Sequence, residues 1–302
     1  MPASLRYFSI EHAKETLMAD CTIALIYFSA TNVTHTYAQV IRESLLDQSC
    51  NVQLFNVTSF ASRQKALLID DFDGFIFGFP VFANFAPKVI NEWLPTLDGQ
   101  GKRCTMFFTY GARTTAYAHF HTKLLLEQAG FQVLFSAEFL GRHSFNVGGW
   151  RILPDRPDEN DFIVARQYAA LALKRFSKDA SAVFRLQKPF GYNRAIAALK
   201  SQEKKPWQEW TNPKRKTDKC CMCRDCETEC PTQAFNADTG LSDPERCIEC
   251  MHCVYICPDE VIKLDERMKD TYDGFLAFWH LTENMMNAKK SKIIAESWQA
   301  AF

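Results

Sequence analysis

The sequence predicts an α/β protein, a doubly wound sheet of five parallel strands followed by a small α+β module. Three observations carry this prediction. Short apolar runs alternate with segments of helical spacing from position 21 to 177. Nine of the 12 cysteines crowd between Cys220 and Cys257. A basic stretch punctuated by proline separates the two regions. The composition allows this, because 302 residues with 47% hydrophobic content and no net charge can bury a core and exclude general disorder. No apolar run approaches the roughly 20 residues of a spanning helix. The opening Met-Pro-Ala-Ser-Leu-Arg-Tyr-Phe soon meets Glu11, His12, Lys14 and Glu15, unlike a secretory leader, so a cytoplasmic location is expected.

Cys21 to Phe28 is a nearly continuous apolar run, as a strand covered on both faces requires. Thr34 to Asp47 then repeats Tyr37, Val40, Ile41, Leu45 and Leu46 at helical spacing. Strands follow at Val52 to Phe55 and Phe72 to Phe79, with a helix at Lys88 to Leu97. Arg103 to Thr109 reads as a strand, Thr115 to Ala129 as a helix, Phe131 to Phe139 as a strand and Asp158 to Phe176 as a helix. Alternation of this kind, with Gly, Pro and Asn at the joints, builds a parallel sheet by crossover helices.

Open α/β sheets bind ligands beyond the carboxyl ends of their strands. After the first strand, Ser29-Ala30-Thr31-Asn32-Val33-Thr34 offers hydroxyls at a helix start, where free N–H groups can hold a phosphate without Lys or Arg. Taken alone, Ser and Thr at a helix start are more often plain N-caps. The loops Gly78 to Pro87 and Thr109 to Arg113 set aromatic rings beside Gly, Pro and small residues, which suits a flat heterocycle. Phe82 and Phe85 also read as core residues at a loop edge.

The cysteine region is an internal repeat. Cys220, Cys223, Cys226 and Cys230 follow C-x2-C-x2-C-x3-C before Pro231, and Cys247, Cys250, Cys253 and Cys257 repeat it before Pro258. Three closely spaced thiolates wrap one iron–sulfur cube, while the fourth, turned by its proline, reaches the other cube. One [4Fe–4S] cluster would take Cys220, Cys223, Cys226 and Cys257, and a second would take Cys247, Cys250, Cys253 and Cys230. Zinc sites instead favour C-x2-C pairs across a longer gap, and disulfide frameworks belong to small secreted chains. Cys221 is a spare thiol beside the cluster, and His252 reads as a surface residue of the ligand loop.

The region 21–177 resembles a flavodoxin-type FMN domain, and the whole chain resembles the flavodoxin–ferredoxin fusion proteins of anaerobic bacteria and archaea. The residues that carry the likeness are Phe28 to Thr34, Gly78 to Val81 with Pro87, Thr109-Tyr110-Gly111, Arg156-Pro157-Asp158-Glu159 and the cysteine repeat of bacterial two-cluster ferredoxins. The resemblance implies that Ser29, Thr31, Asn32, Val33 and Thr34 form the FMN phosphate turn. It implies further that Pro80, Val81, Phe82, Ala83, Asn84, Thr109, Tyr110, Gly111 and Ala112 line the isoalloxazine ring. Asn32-Val33 stands where the family turn carries Gly-Asn, and Asn is the non-glycine residue best suited to a left-handed position.

The expected organisation is an extension at 1–20, the FMN domain at 21–177, a basic arm at 178–216, a two-cluster domain at 217–265 and a helical tail at 266–302. Leu171 to Lys219 carries 13 Lys+Arg against 4 Asp+Glu, with Phe190, Trp207 and Trp210 as aromatic anchors. Without a nucleic-acid-reading motif, it reads as an arm bridging the domains. Cys220 to Asp265 has 10 Asp+Glu against 3 Lys+Arg, which suits a redox partner with a basic surface, or a merely solvated face. In the tail, Phe275 to Met286 and then Ile293, Ile294 and Trp298 read as helix packed on the chain's own body or offered to a partner. His119, His121 and His143 read as structural or surface residues, and the loop after the fifth strand also puts His143 where it could approach the flavin.

The function expected is electron transfer between FMN and two [4Fe–4S] clusters and on to a partner redox protein. Two alternatives stand beside it: an FMN-dependent reductase of a quinone or other small acceptor, and a flavin-free ferredoxin subunit with a docking domain. No acid–base or nucleophilic constellation marks the pocket. Gly99-Gln100-Gly101 is followed by Lys102-Arg103-Cys104 and so lacks the dinucleotide fingerprint.

Overall fold

Runs such as Ile23–Ile26 and Phe75–Phe77 bury both faces of their strands, so these strands must lie inside a sheet with helices on either side. The computed structural model describes residues 21–111, 113–176, 184–200, 208–295 and 297–298. Five strands, β1 (Thr22–Tyr27), β2 (Asn51–Asn56), β3 (Gly74–Pro80), β4 (Arg103–Tyr110) and β5 (Gln132–Leu140), pair in parallel in the order β2-β1-β3-β4-β5. The connecting helices are α1 (Val33–Leu46), α2 (Lys88–Trp93) and α3 (Ala118–Gln128), with α4 (Glu159–Phe176) after β5. Right-handed crossovers put α1 and α4 on one face and α2 and α3 on the other, because the chain first steps outward to β2 and then reverses to β3. That reversal opens a crevice between the carboxyl ends of β1 and β3.

The core is aromatic. Phe75, Phe77, Phe107, Phe135 and Phe139 are fully buried, and Tyr37 of α1 stacks on Phe139 at 4.6 Å between ring centres. Two buried tyrosine hydroxyls are satisfied: Tyr37 donates to the Leu140 carbonyl at 2.5 Å, and the Tyr168 and Thr105 hydroxyls meet at 2.7 Å. Gly78 is required by packing, since a Cβ there would lie 2.1 Å from the Phe107 ring.

Beyond α4 the chain runs through β6 (Arg185–Leu186), α5 (Tyr192–Lys200), α6 (Gln208–Thr211) and β7 (Lys214–Arg215). The cysteine module follows as α7 (Asp225–Thr228), β8 (Phe235–Asn236), β9 (Leu241–Ser242), α8 (His252–Ile256) and β10 (Ile262–Lys263). Its small sheet has the order β10-β7-β9-β8, so Lys214 and Arg215 of the expected arm are part of the module's sheet. Of the three expected anchors, Phe190 is 93% exposed, Trp210 lies under the Arg267 guanidinium, and Trp207 lies outside the described residues, as does the extension at 1–20.

The tail corrects the expectation of continuous helix. It forms α9 (Thr271–Phe278) and α10 (Glu283–Asn287), then the strands β11 (Lys292–Ile294) and β12 (Ser297–Trp298). β11 adds antiparallel to β5 as a sixth strand, so Ile293 and Ile294 belong to the main sheet. Ser291 secures it, accepting from the Leu140 N–H at 2.9 Å and donating to Asp161 at 2.5 Å. Among the described residues no helix is long and apolar enough to cross a membrane.

The candidate cavity and the cysteine module

The turn after β1 is shaped by Asn32, whose φ of 67° is left-handed and places it as the N-cap of α1. Val33 then starts the helix, so its β-branched side chain meets no left-handed strain. It is buried against Gly141, where a Cβ would stand 2.3 Å from Val33 Cγ1. Ser29 Oγ accepts from the His35 N–H at 3.0 Å, and Thr34 Oγ1 pairs with Thr109 Oγ1 at 2.8 Å, tying the turn to the end of β4.

A cavity of about 290 Å³ lies at the carboxyl ends of β1, β3, β4 and β5. Of the residues expected around FMN, Ser29, Thr31, Val33, Thr34, Pro80, Val81, Phe82, Ala83, Thr109, Tyr110 and Gly111 line it. Asn32 and Asn84 are not among the lining residues. Asn32 shapes the turn from behind, and Asn84 Oδ1 accepts from the Arg113 guanidinium. Ala112 lies outside the described residues. One end of the cavity is rich in hydroxyls at the start of α1, and the other is aromatic. That donor set and shape suit a phosphorylated flat heterocycle.

Two parts of the wall, His143 apart, were not among the residues expected from the sequence. The loop after β5 contributes Gly141, Arg142, His143, Ser144 and Phe145. The His143 Nδ1 accepts from the Phe145 N–H at 3.1 Å, and its ring packs 5.1 Å from Trp150. Burial, and then the nearby Arg113 charge, hold His143 down at about 4. The second part is Ile248 and Glu249, which sit between Cys247 and Cys250 of the second cysteine run. Their place on the page of the sequence, more than 100 residues away, offered no signal, though position after a sheet strand could have flagged Gly141 to Phe145.

The cysteine module is packed onto the sheet domain. Cys250 joins the main aromatic core, and Met251 and Leu264 share a second core with Tyr110, Leu140, Trp150 and Ile152. His252, expected at the surface, is buried instead. Its Nδ1–H donates to the Ala30 carbonyl at 2.8 Å, because the ligand loop lies directly on the β1 turn. Arg63, which no motif marked, is buried with its guanidinium on the carbonyls of Val57, Thr58 and Ser59 and on that of Pro231.

Within the module, Cys220, Cys223, Cys226 and Cys257 surround one apolar hollow with Phe235 and Ile262. Burial first, then the thiolates of Cys223, Cys257 and Cys220, push Cys226 up to about 11. Burial pushes Cys250 and Cys253 upward too, and Cys247 and Cys230 add to it in both. The first hollow thus brings Cys257 of the second run beside Cys220, Cys223 and Cys226 of the first, while Cys253 also feels Cys226 across the two runs. Among the described residues no three His, Cys, Asp or Glu side chains close around a single ion. A cube of four irons asks for something else, one thiolate per iron around a wider centre. Cys221 is exposed, outside the hollow, with its thiol pushed up to about 11 by the Asp259 carboxylate, as a bystander would be.

The strand order is that of the flavodoxin-like class of doubly wound sheets. Residues 242–263, which include Cys247, Cys250, Cys253 and Cys257, match the 4Fe-4S binding domain family. The chain therefore joins a flavodoxin-like domain to a ferredoxin-type 4Fe-4S domain. Among solved structures it is similar to a flavodoxin from the domain Archaea, with 15% identity, 51% of this chain and 98% of that chain covered, and a TM-score of 0.39. It is similar to rubredoxin oxygen:oxidoreductase from the anaerobe Desulfovibrio gigas at 17% identity, covering 53% of this chain and 37% of that one, with a TM-score of 0.40. A third is Fusobacterium nucleatum flavodoxin bound to flavin mononucleotide, at 18% identity, 38% and 70% coverage and a TM-score of 0.32. No curated protein matches the sequence.

Proposed function

We propose that this chain is an electron-transfer flavo-iron–sulfur protein, passing electrons between FMN and two [4Fe–4S] clusters and on to a partner redox protein. The observation that supports it most directly is the shared wall, since Ile248 and Glu249 of a cysteine ligand run line the cavity at the β1–β3 crevice. Bound there, FMN would supply two-electron chemistry that can be divided into single steps, while each cluster carries one electron at a time.

The residues then have defined tasks. Ser29, Thr31 and Thr34, with the N–H groups at the start of α1, would hold the phosphate. Phe82 and Tyr110 would face the ring, with the Pro80 to Ala83 and Thr109 to Gly111 backbones offering hydrogen bonds to its edge. Cys220, Cys223, Cys226 and Cys257 would ligate one cluster, and Cys230, Cys247, Cys250 and Cys253 the other. Ile248 and Glu249 of the cysteine module and the loop after β5 would close one side of the site around the bound group.

The test is flavin and iron content, with an absorbance spectrum, of protein purified without oxygen. Roughly eight irons and one FMN per chain are expected. Eight irons with no flavin, even after FMN is added, would overturn the proposal in favour of a ferredoxin with a docking domain.

A further inference from the structure

We infer that the two thiolate sets are ranked. Cys230, Cys247, Cys250 and Cys253 form an inner set that exchanges electrons directly with the flavin. Cys220, Cys223, Cys226 and Cys257 form an outer set, the port for a one-electron carrier protein. This ranking rests on the electron-transfer reading and adds a route to it.

Several independent contacts join the inner set to the sheet domain. Ile248 and Glu249, between ligands Cys247 and Cys250, line the cavity. Cys250 itself packs in the main core. His252, between Cys250 and Cys253, donates to Ala30 in the proposed phosphate turn. Pro231, next to ligand Cys230, accepts from Arg63. All four inner cysteines are therefore anchored on the sheet domain themselves or lie one residue from such an anchor, Cys253 through His252. The Glu249 carboxylate is further held by the Thr211 hydroxyl at 2.5 Å.

The outer set is the more open one: Cys223 is exposed and none of its four cysteines is buried, whereas Cys230 and Cys250 are 9% and 8% exposed and Cys247 and Cys253 are half-buried. Met222, beside Cys223, is 43% exposed, and the surface about it is mixed in charge, with Asp225 and Asp259 exposed, Asp238 paired with Arg224, and Arg215 also lining the hollow. The module as a whole, with 10 Asp+Glu against 3 Lys+Arg from Cys220 to Asp265, suits a carrier protein with a basic face at this exposed end. Because electron transfer slows exponentially with separation, the set that shares a wall with the flavin takes the direct step.

With both clusters and FMN in place, a reduced carrier would give up one electron at the Cys220, Cys223, Cys226 and Cys257 site, and that electron would pass through the Cys230, Cys247, Cys250 and Cys253 site to the flavin. Two such passages, with two protons from water, would account for the two-electron reduction of the flavin, and the reverse sequence would reduce two carriers.

The experiment uses the full chain loaded with iron–sulfur and FMN. The flavin is reduced by a light pulse with EDTA as donor, and cluster bleaching is followed in wild type, Cys223→Ala and Cys250→Ala. Transfer from flavin to the remaining cluster should fall more than roughly tenfold further in Cys250→Ala than in Cys223→Ala. The opposite order overturns the ranking. Should Cys250→Ala not fold, Glu249→Gln is read by redox titration. Loss of its negative charge should raise the potentials of the flavin and of the cluster that survives in Cys223→Ala. A shift confined to the other cluster, or to neither, overturns the ranking. Wild type with eight irons and no flavin would instead overturn the electron-transfer reading itself.

Discussion

His252 and Ala30 meet across 222 residues of sequence, with the imidazole Nδ1–H donating to the carbonyl at 2.8 Å. The contact links a cysteine ligand loop to the turn that opens α1, so the two modules form a joint, not a tether. Burial lowers the His252 pKa, while the Ala30 carbonyl opposes that shift by binding the ring N–H.

Replacing His252 by Leu leaves the Ala30 carbonyl without this donor. The loss should cost about 1–2 kcal/mol in denaturant unfolding. Hydrogen exchange should quicken in 29–34 and 247–253 together. Exchange that changes in only one of the two segments would show that the contact does not couple them.

Gly141 and Val33 form a second joint, one that a single methyl group can disrupt. Gly141→Ala places a Cβ 2.3 Å from Val33 Cγ1 and should destabilise by about 1–3 kcal/mol. FMN binding should weaken with it. Adding Val33→Ala restores the space, so the double variant should recover at least about 1 kcal/mol, a coupling that a double-mutant cycle measures.

His143 makes stability depend on pH. Its folded value of about 4 lies below the ~6.5 of an unfolded histidine, so the unfolded chain takes up the proton first as pH falls. Stability is therefore complete above about 6.5, falls between there and 4, and loses nothing more from this group below 4. Allowing for partial exposure of the ring, the loss should be about 2 kcal/mol. Protonation also removes the acceptor for the Phe145 N–H. Unfolding of wild type and His143→Phe at pH 7 and 4.5 should show the smaller pH dependence in the variant.

Arg63 holds four carbonyls and stands near Cys230 and Cys250. Arg63→Met should destabilise the chain by about 2–4 kcal/mol, since these acceptors lose a charged donor. It should also lower the potential of the adjacent cluster, because a buried positive charge favours the added electron. A redox titration in which that potential rises would contradict this electrostatic role.

Ser291 satisfies the Leu140 N–H and reaches Asp161, which also binds Arg156. Ser291→Ala should cost about 1–3 kcal/mol by leaving buried polar groups unpaired. Faster hydrogen exchange along β5 and β11 is the accompanying sign, and unchanged exchange would place the tail strand's stability elsewhere.

The parallel strands were legible because burial on both faces leaves near-continuous apolar runs, as in Cys21 to Phe28. The 4Fe-4S module was legible because cluster-binding cysteines follow a spacing set over a few residues. The hydroxyl turn was legible for the same local reason. The tail was harder. Phe275 to Met286 repeats at intervals that fit helix, but Ile293 and Ile294 gain their strand from the free edge of β5, a partner that local pattern does not encode. His252 looked solvent-facing because a short loop between two cysteines gives no sign of what lies above it. Arg63 sits in a polar segment whose only distinction is the set of carbonyls that folding brings around it.

Local pattern was enough to define the modules: an alternating α/β sheet, a hydroxyl-rich helix start and two repeated cysteine runs. These follow from local periodicity and spacing, which act over a few residues. Tertiary structure alone decided how the modules meet. It placed Ile248 and Glu249 in the wall of the cavity, Cys250 in the main core and His252 on Ala30, by complementary packing between segments more than 200 residues apart. Such packing depends on surfaces that exist only after each module has folded.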